Sequence, residues 1–363
     1  LTCNRESINY IVRDLIAVDL KRRYAMKKMS LPTAFATTVA LLSVSPAFAG
    51  QMEPAAKAFA DAAASGTPIY DLTYEDARKV LATVQGDKME ASAATTTEDL
   101  VWKIGPTGNV RVRIVRPEGL EGHLPAVLYY HGGGWVMGDR NTHDHLIREL
   151  AVQSKAAVVF VEYDNAPEVR YPVNNEQAYA ALNHVAANGA KFGIDGTRLA
   201  VAGDSAGGNM AIAVSLMAKQ RKGPKIVHQL LFYPVTDDVS DNSSYREFGN
   251  GPFLTRKAMD YFLGANYPAK SRNDVLAFPL KASVEELSGL PSATIIVAEN
   301  DLLRDEGEAF GRKLLSAGVS VNSTRYNGTL HDFVMLNPLA KTEAAQAAIA
   351  QGASQLRKAF TQR

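Results

Sequence analysis

Cysteine is almost absent: the chain of 363 residues holds one, Cys3. Everything after residue 49 is cysteine-free, which excludes disulfides and thiol catalysis there and agrees with, without requiring, an oxidising compartment. An excess of basic charge is lacking too. Seven of the 39 Lys and Arg and three of the 38 Asp and Glu precede residue 50, so the remainder carries 32 and 35, a net charge of −3. With no basic run, the chain offers nothing to nucleic acid or to an anionic membrane. Internal repeats and low-complexity tracts are missing after residue 49, and no His, Cys and carboxylate cluster has metal-ligand spacing. His143 and His145 are spaced as two ligands could be, yet nothing accompanies them, and they read as a solvated helix start. No metal and no organic cofactor is expected.

A long apolar run is also missing. The stretch from Met26 to Ala49 is short and broken by Pro32 and polar residues, which argues against a membrane span. Its basic start, apolar middle and terminal Ala47-Phe48-Ala49 predict instead a secretory signal peptide cleaved before Gly50, and hence a periplasmic or secreted protein. Residues 1–25 show no core-forming pattern and read as an upstream tail or a misassigned start, with Met26 the better initiator. The rest of the chain is ample for one large α/β domain with a modest cap.

What is present is concentrated chemistry. Ala202-Gly203-Asp204-Ser205-Ala206-Gly207-Gly208 follows the apolar run Arg198–Ala202 and opens a small-residue helix over Asn209–Ala218. This is the layout of a strand-to-helix turn with a nucleophilic serine at its tip. Gly203 and Gly207 stand where the turn has no room for side chains. A serine hydroxyl needs a base, a group that orients the base, and donors for the oxyanion. His131-Gly132-Gly133-Gly134-Trp135 leaves the apolar run Leu124–Tyr130, and glycines there let backbone N–H groups approach a substrate. The expected donors are the amides of Gly133, Gly134 and Ala206, with His131 ordering the loop.

Of seven histidines, only His228 and His331 follow Ser205, as a base should in an architecture whose order is nucleophile, acid, base. His228 begins an apolar run and reads as a strand residue. His331 lies in a loop after the alternating segment Val319–Tyr326 and is the better base; His123 and His184 carry no signal. The acid should follow the buried strand Ala293–Ala298, where Glu299, Asp301, Asp305 and Glu306 are available. Asp305 and Glu306 begin a helix, whose dipole accounts for them, so Asp301 is preferred with Asp305 in reserve.

With these groups in this order, the chain resembles the bacterial hormone-sensitive-lipase-like family of α/β-hydrolases over about residues 53–358. The marks are His131-Gly132-Gly133-Gly134, Gly203-Asp204-Ser205-Ala206-Gly207, the Asp-x-Leu-x-Asp-Glu pattern from Asp301 to Glu306, Tyr163-x-x-Ala-Pro-Glu168 and Tyr171-Pro172. The resemblance implies a triad of Ser205, Asp301 and His331. Three departures stand out: Leu302 replaces a frequent proline, Asp164-Asn165 an Arg-Leu pair, and Asp332 the glycine usual after the base. Asp332 adds a negative charge beside the base and is expected to alter its pKa.

Alternation of strands and helices predicts a mostly parallel central sheet flanked by helices, and the resemblance specifies the α/β-hydrolase fold. Residues 50–95 are helical in pattern, with Thr73-Tyr-Glu-Asp76 as a capping box. Residues 96–363 form the hydrolase domain, interrupted at about 236–275 by a polar and aromatic stretch. By resemblance the N-terminal helices and this insertion form a small helical cap. The expected activity is hydrolysis of short-chain acyl esters, a small-molecule substrate, by a serine carboxylesterase; the alternative is an amide or formamide hydrolase using the same triad. A non-catalytic binding module on the same scaffold is disfavoured because every triad member has a candidate. The sequence leaves a homodimer open.

Overall fold

Eight strands differ sharply in how much of each is buried, and that difference orders the sheet. In β3 (Leu124–Tyr130) every position is buried, and β4 (Ala157–Glu162), β6 (Ile226–Phe232) and β7 (Ser292–Asn300) are nearly so. Such continuous apolar strands suit the middle of a parallel sheet covered on both faces. By contrast β1 (Thr95–Trp102) and β8 (Val321–Leu330) leave most of their residues only partly buried or exposed, as edge strands do. β2 (Val110–Pro117) and β5 (Ile194–Asp204) complete the set, and the spatial order is β1-β2-β4-β3-β5-β6-β7-β8. The β1–β2 and β2–β4 pairs are antiparallel and the other five are parallel.

These features come from a computed structural model that describes residues 51–361 apart from 87, 88, 90, 239 and 240. The upstream tail, the signal-peptide segment 26–49 and Cys3 lie outside the described residues. In chain order the helices are α1 (Pro54–Ala64), α2 (Tyr74–Gln85), α3 (Asp144–Ser154), α4 (Val173–Asn188), α5 (Ala206–Gln220), α6 (Ser243–Phe248), α7 (Arg256–Asn266), α8 (Val284–Leu287), α9 (Arg304–Ser316) and α10 (Glu343–Thr361). Helices α3 and α10 pack together against the sheet, as do α4 and α5, while α9 lies against β7 and β8. Helix α5 is buried from Ala206 to Ala218. Over that stretch it carries uncharged side chains all round because it is enclosed by the sheet and α4.

Thr73 caps α2 by accepting the Asp76 amide at 3.1 Å, but its hydroxyl donates to the Asp76 carboxylate at 2.8 Å. The helix therefore starts with the Thr73 cap as expected, but the Asp76 carboxylate pairs with the Thr73 hydroxyl in place of completing a capping box. The N-terminal segment and the insertion touch: Phe59 meets Phe253 edge-on at 5.1 Å, Tyr74 packs on Tyr261 at 4.8 Å, and Tyr261 donates to the Leu72 carbonyl at 3.3 Å. Reversal of connection around β3 marks the carboxyl ends of the strands as the place where open α/β sheets bind ligands. The loops after β3, β5, β6, β7 and β8 all end there.

Candidate active site

Ser205 sits between the last residue of β5 and the first of α5, with φ 52° and ψ −117°. A non-glycine residue in this region is strained by about 1–3 kcal/mol and persists only where its surroundings hold it. Here the Ser205 amide donates to the Phe232 carbonyl at 2.9 Å, and its own carbonyl accepts from Asn209 and Val235 at 3.1 and 3.2 Å. The glycines on either side are required by space: a Cβ on Gly203 would enter the Gly207 carbonyl, and one on Gly207 the Tyr130 carbonyl.

The turn carries Ser205 Oγ to 2.9 Å from Nε2 of His331, whose Nδ1 lies 2.7 Å from Oδ2 of Asp301. All three are nearly inaccessible to solvent. Asp301 is further fixed by accepting the Leu303 amide at 2.9 Å through Oδ1. A carboxylate on one ring nitrogen and a hydroxyl on the other is an arrangement that can draw a proton from the hydroxyl and hold the charge that results. The three residues singled out from sequence, far apart along the chain, thus meet in one line.

Gly133 and Gly134 have φ of 95° and 63°, a left-handed path closed to most side chains. The Gly133 carbonyl is taken by the amides of Val136 and Met137. The Gly132 amide donates instead to Oδ1 of Asp204 at 3.0 Å, which leaves the amides of Gly133, Gly134 and Ala206 as the donors available to an oxyanion. A Cβ on Gly134 would run into the ring of Phe262 on α7, so the insertion reaches down onto the glycine loop.

Residues 127–335 match a family described by its α/β-hydrolase fold. The chain belongs to the hormone-sensitive-lipase-like family of α/β-hydrolases. A carboxylesterase of Mycobacterium tuberculosis is 40% identical over 254 residues, covering 69% of this chain and 79% of that protein. An ethyl acetate hydrolase of Pseudomonas putida is 36% identical over 235 residues, covering 63% and 72%. Among solved structures, a thermostable esterase from Pseudomonas putida shares 43% identity at a TM-score of 0.84, covering 86% of this chain and 99% of that one. This hydrolase is accordingly a carboxylic ester hydrolase.

Behind the nucleophile the hydrolase holds a buried polar network that the sequence did not reveal. Asp204, fully buried, accepts from the Tyr129 hydroxyl at 2.6 Å and from Gly132, and its Oδ2 lies 3.3 Å from Nε2 of His143. Burial alone would raise the Asp204 carboxyl, but the charge of His143 overrules it and holds it low. Burial likewise opposes protonation of His143, and Asp204 overrules that too, so its pKa is raised. The reading of His143 as part of a solvated helix start is therefore wrong; it is the buried residue immediately before α3 and ties that helix to the nucleophile turn. Its partner is 61 residues away in sequence, which is why spacing could not expose the pair.

His131 is buried within the loop that it begins. Burial lowers its pKa to about 4, which keeps it neutral. Its ring stacks on Tyr163 at 4.1 Å, and the Tyr163 hydroxyl donates to its carbonyl at 2.8 Å. His228 sits between the hydroxyls of Ser292 and Thr294 at 2.8 and 3.0 Å within the sheet and stays clear of the site. Glu306 is not explained by the helix dipole alone: it is buried and accepts the Thr236 and Asp237 amides at 2.7 and 3.2 Å, anchoring the start of the insertion. Among the described residues no three His, Cys, Asp or Glu side chains are grouped to hold a metal ion, and no helix is long and apolar enough to cross a membrane.

Proposed function

We propose that this ester hydrolase is a serine carboxylesterase that turns over short acyl chains through an acyl-enzyme. The observation that carries the reading is the relay from Ser205 through His331 to Asp301, at 2.9 and 2.7 Å. Neutral His331 takes the Ser205 proton on Nε2 as Oγ attacks the ester carbonyl, while Asp301 holds the Nδ1 proton and the imidazolium. The amides of Gly133, Gly134 and Ala206 take the oxyanion. His331 then returns the proton to the leaving alkoxide, and a water molecule attacks the acyl-enzyme by the same route, freeing the acid and restoring Ser205.

The preference for short chains is supported by Phe262, which closes over Gly134, and by the similarity to an ethyl acetate hydrolase. In this reading α1, α2 and the insertion with α6 and α7 form the cap. A series of nitrophenyl esters tests it: acetate and butyrate are expected to be hydrolysed with much higher kcat/KM than decanoate, and a fluorophosphonate is expected to label Ser205. A flat profile with acyl length would remove the short-chain reading, and labelling elsewhere would remove the mechanism.

The same enzyme is proposed to be exported, on the strength of the basic, apolar and Ala-x-Ala pattern from Met26 to Ala49. N-terminal sequencing from a fractionated host should find Gly50 first, in protein outside the cytoplasm. An uncleaved N-terminus on soluble cytoplasmic protein would refute export.

A further inference from the structure

Asp332 follows the base and has a carboxylate oxygen without a hydrogen-bond partner. That oxygen, Oδ1, is buried, and it lies 3.4 Å from Nε2 of His331. Nε2 is also the nitrogen that faces Ser205 Oγ at 2.9 Å. The backbone of Asp332 makes the side chain harder to dismiss. Its φ of 65° is left-handed, a conformation that glycine adopts freely and aspartate at a cost. Its carbonyl accepts the amides of Met335 and Leu336, a task any residue could perform. The strained position therefore holds a carboxylate within ion-pair distance of the imidazole.

We propose that Asp332 is a positioning residue that acts through His331, setting a buried carboxylate beside the Nε2 side of the ring and stabilising the imidazolium charge that forms in the transition state. This rests on the reading of His331 as the general base. Each ring nitrogen then has a carboxylate beside it, Asp301 at Nδ1 and Asp332 at Nε2. Only 14% of the Asp332 side chain is exposed, so water screens the pair weakly.

Charges act in the required direction. Burial would push the imidazole down, but Asp301 and Asp332 overrule it and raise His331 to about 9. Burial pushes the Asp332 carboxyl up to about 6 in spite of the imidazole beside it. Between these values an imidazolium faces a carboxylate, and a base works only when neutral, so kcat/KM should climb with pH toward 9. The other groups that bear on the two residues are Asp204 at the end of β5, Tyr129 of β3, His143 before α3 and Tyr233 after β6, whose ring meets that of His331 edge-on at 4.9 Å. They are common to wild type and variants, so the difference between proteins isolates Asp332.

The test compares wild type with Asp332→Asn and Asp332→Gly, reading both the pH profile of kcat/KM and the NMR titration of the His331 ring. Removal of a charge at this range is expected to lower the ring's titration, and with it the acid limb of the profile, by about one pH unit in both variants. At neutral pH kcat/KM rises several-fold; above the wild-type limb it falls below wild type. The melting temperature should hold in Asp332→Asn and hold or rise in Asp332→Gly, which relieves the left-handed strain. A ring that titrates at the same pH in all three proteins overturns the role of Asp332 and leaves the triad standing. A ring that shifts while the kcat/KM limb stays in place overturns both, because His331 is then not the base.

Discussion

Ser205→Ala is expected to lower kcat on nitrophenyl acetate by on the order of 10⁶, the scale seen when a triad nucleophile is removed, with an unchanged melting temperature. The two halves of this expectation have separate causes. The Ser205 hydroxyl faces His331 Nε2 at 2.9 Å, so it is the group whose proton the ring can take, and alanine leaves no hydroxyl there to attack the ester. Stability is spared because the strained φ of 52° is held by backbone hydrogen bonds to Phe232, Asn209 and Val235, and alanine carries the same Cβ as serine. His331→Ala should be nearly as severe, since triad members act as a unit. The measurement is kcat on purified protein with thermal melts alongside. Substantial turnover in Ser205→Ala, with host esterase removed, would displace Ser205 from the mechanism.

The sequence was informative where function needs a local backbone shape. The turn around Ser205 and the loop at Gly133 and Gly134 depend on glycine at fixed offsets, so their geometry is written in adjacent residues, and both were legible. The order of nucleophile, acid and base then narrowed the histidines to His331, which the structure places against Ser205. Strand β3 was read to its ends for a similar reason: a run of seven apolar residues buried on both faces admits little else. Polar groups that meet only in space were not legible. His143 and Asp204 are joined across 61 residues and Glu306 reaches Thr236 across 70, and in sequence each looks like a charged residue near a helix start. Burial, which turns such a residue into an anchor, is a property of the packed sheet and helices. Asp332 lies between these cases: its charge was visible beside the base, whereas its left-handed φ and its buried, unpartnered oxygen emerge only from the fold.

Asp301→Asn is expected to lower kcat by about 10⁴, as the corresponding change does in a well-characterised triad, whereas Asp305→Asn should act mainly on stability. Both residues follow β7, and sequence alone left Asp305 in reserve. Their surroundings separate them. Oδ2 of Asp301 faces His331 Nδ1 at 2.7 Å, so an amide there removes the charge that stabilises the imidazolium and can present N–H where an acceptor is needed, forcing the ring into the wrong tautomer. Asp305 instead accepts the Ser244 amide at 2.8 Å and pairs with Arg304 Nε at 2.8 Å, so it ties the first turn of α6 to that of α9. Loss of a charge-assisted bond of this kind costs about 1–3 kcal/mol, visible as a lower melting temperature with kcat largely kept. Measuring kcat and melting temperature for both variants decides the matter. Should Asp305→Asn lose kcat by orders of magnitude while Asp301→Asn retains it, the acid of the triad is Asp305, and the 2.7 Å contact at His331 is structural only.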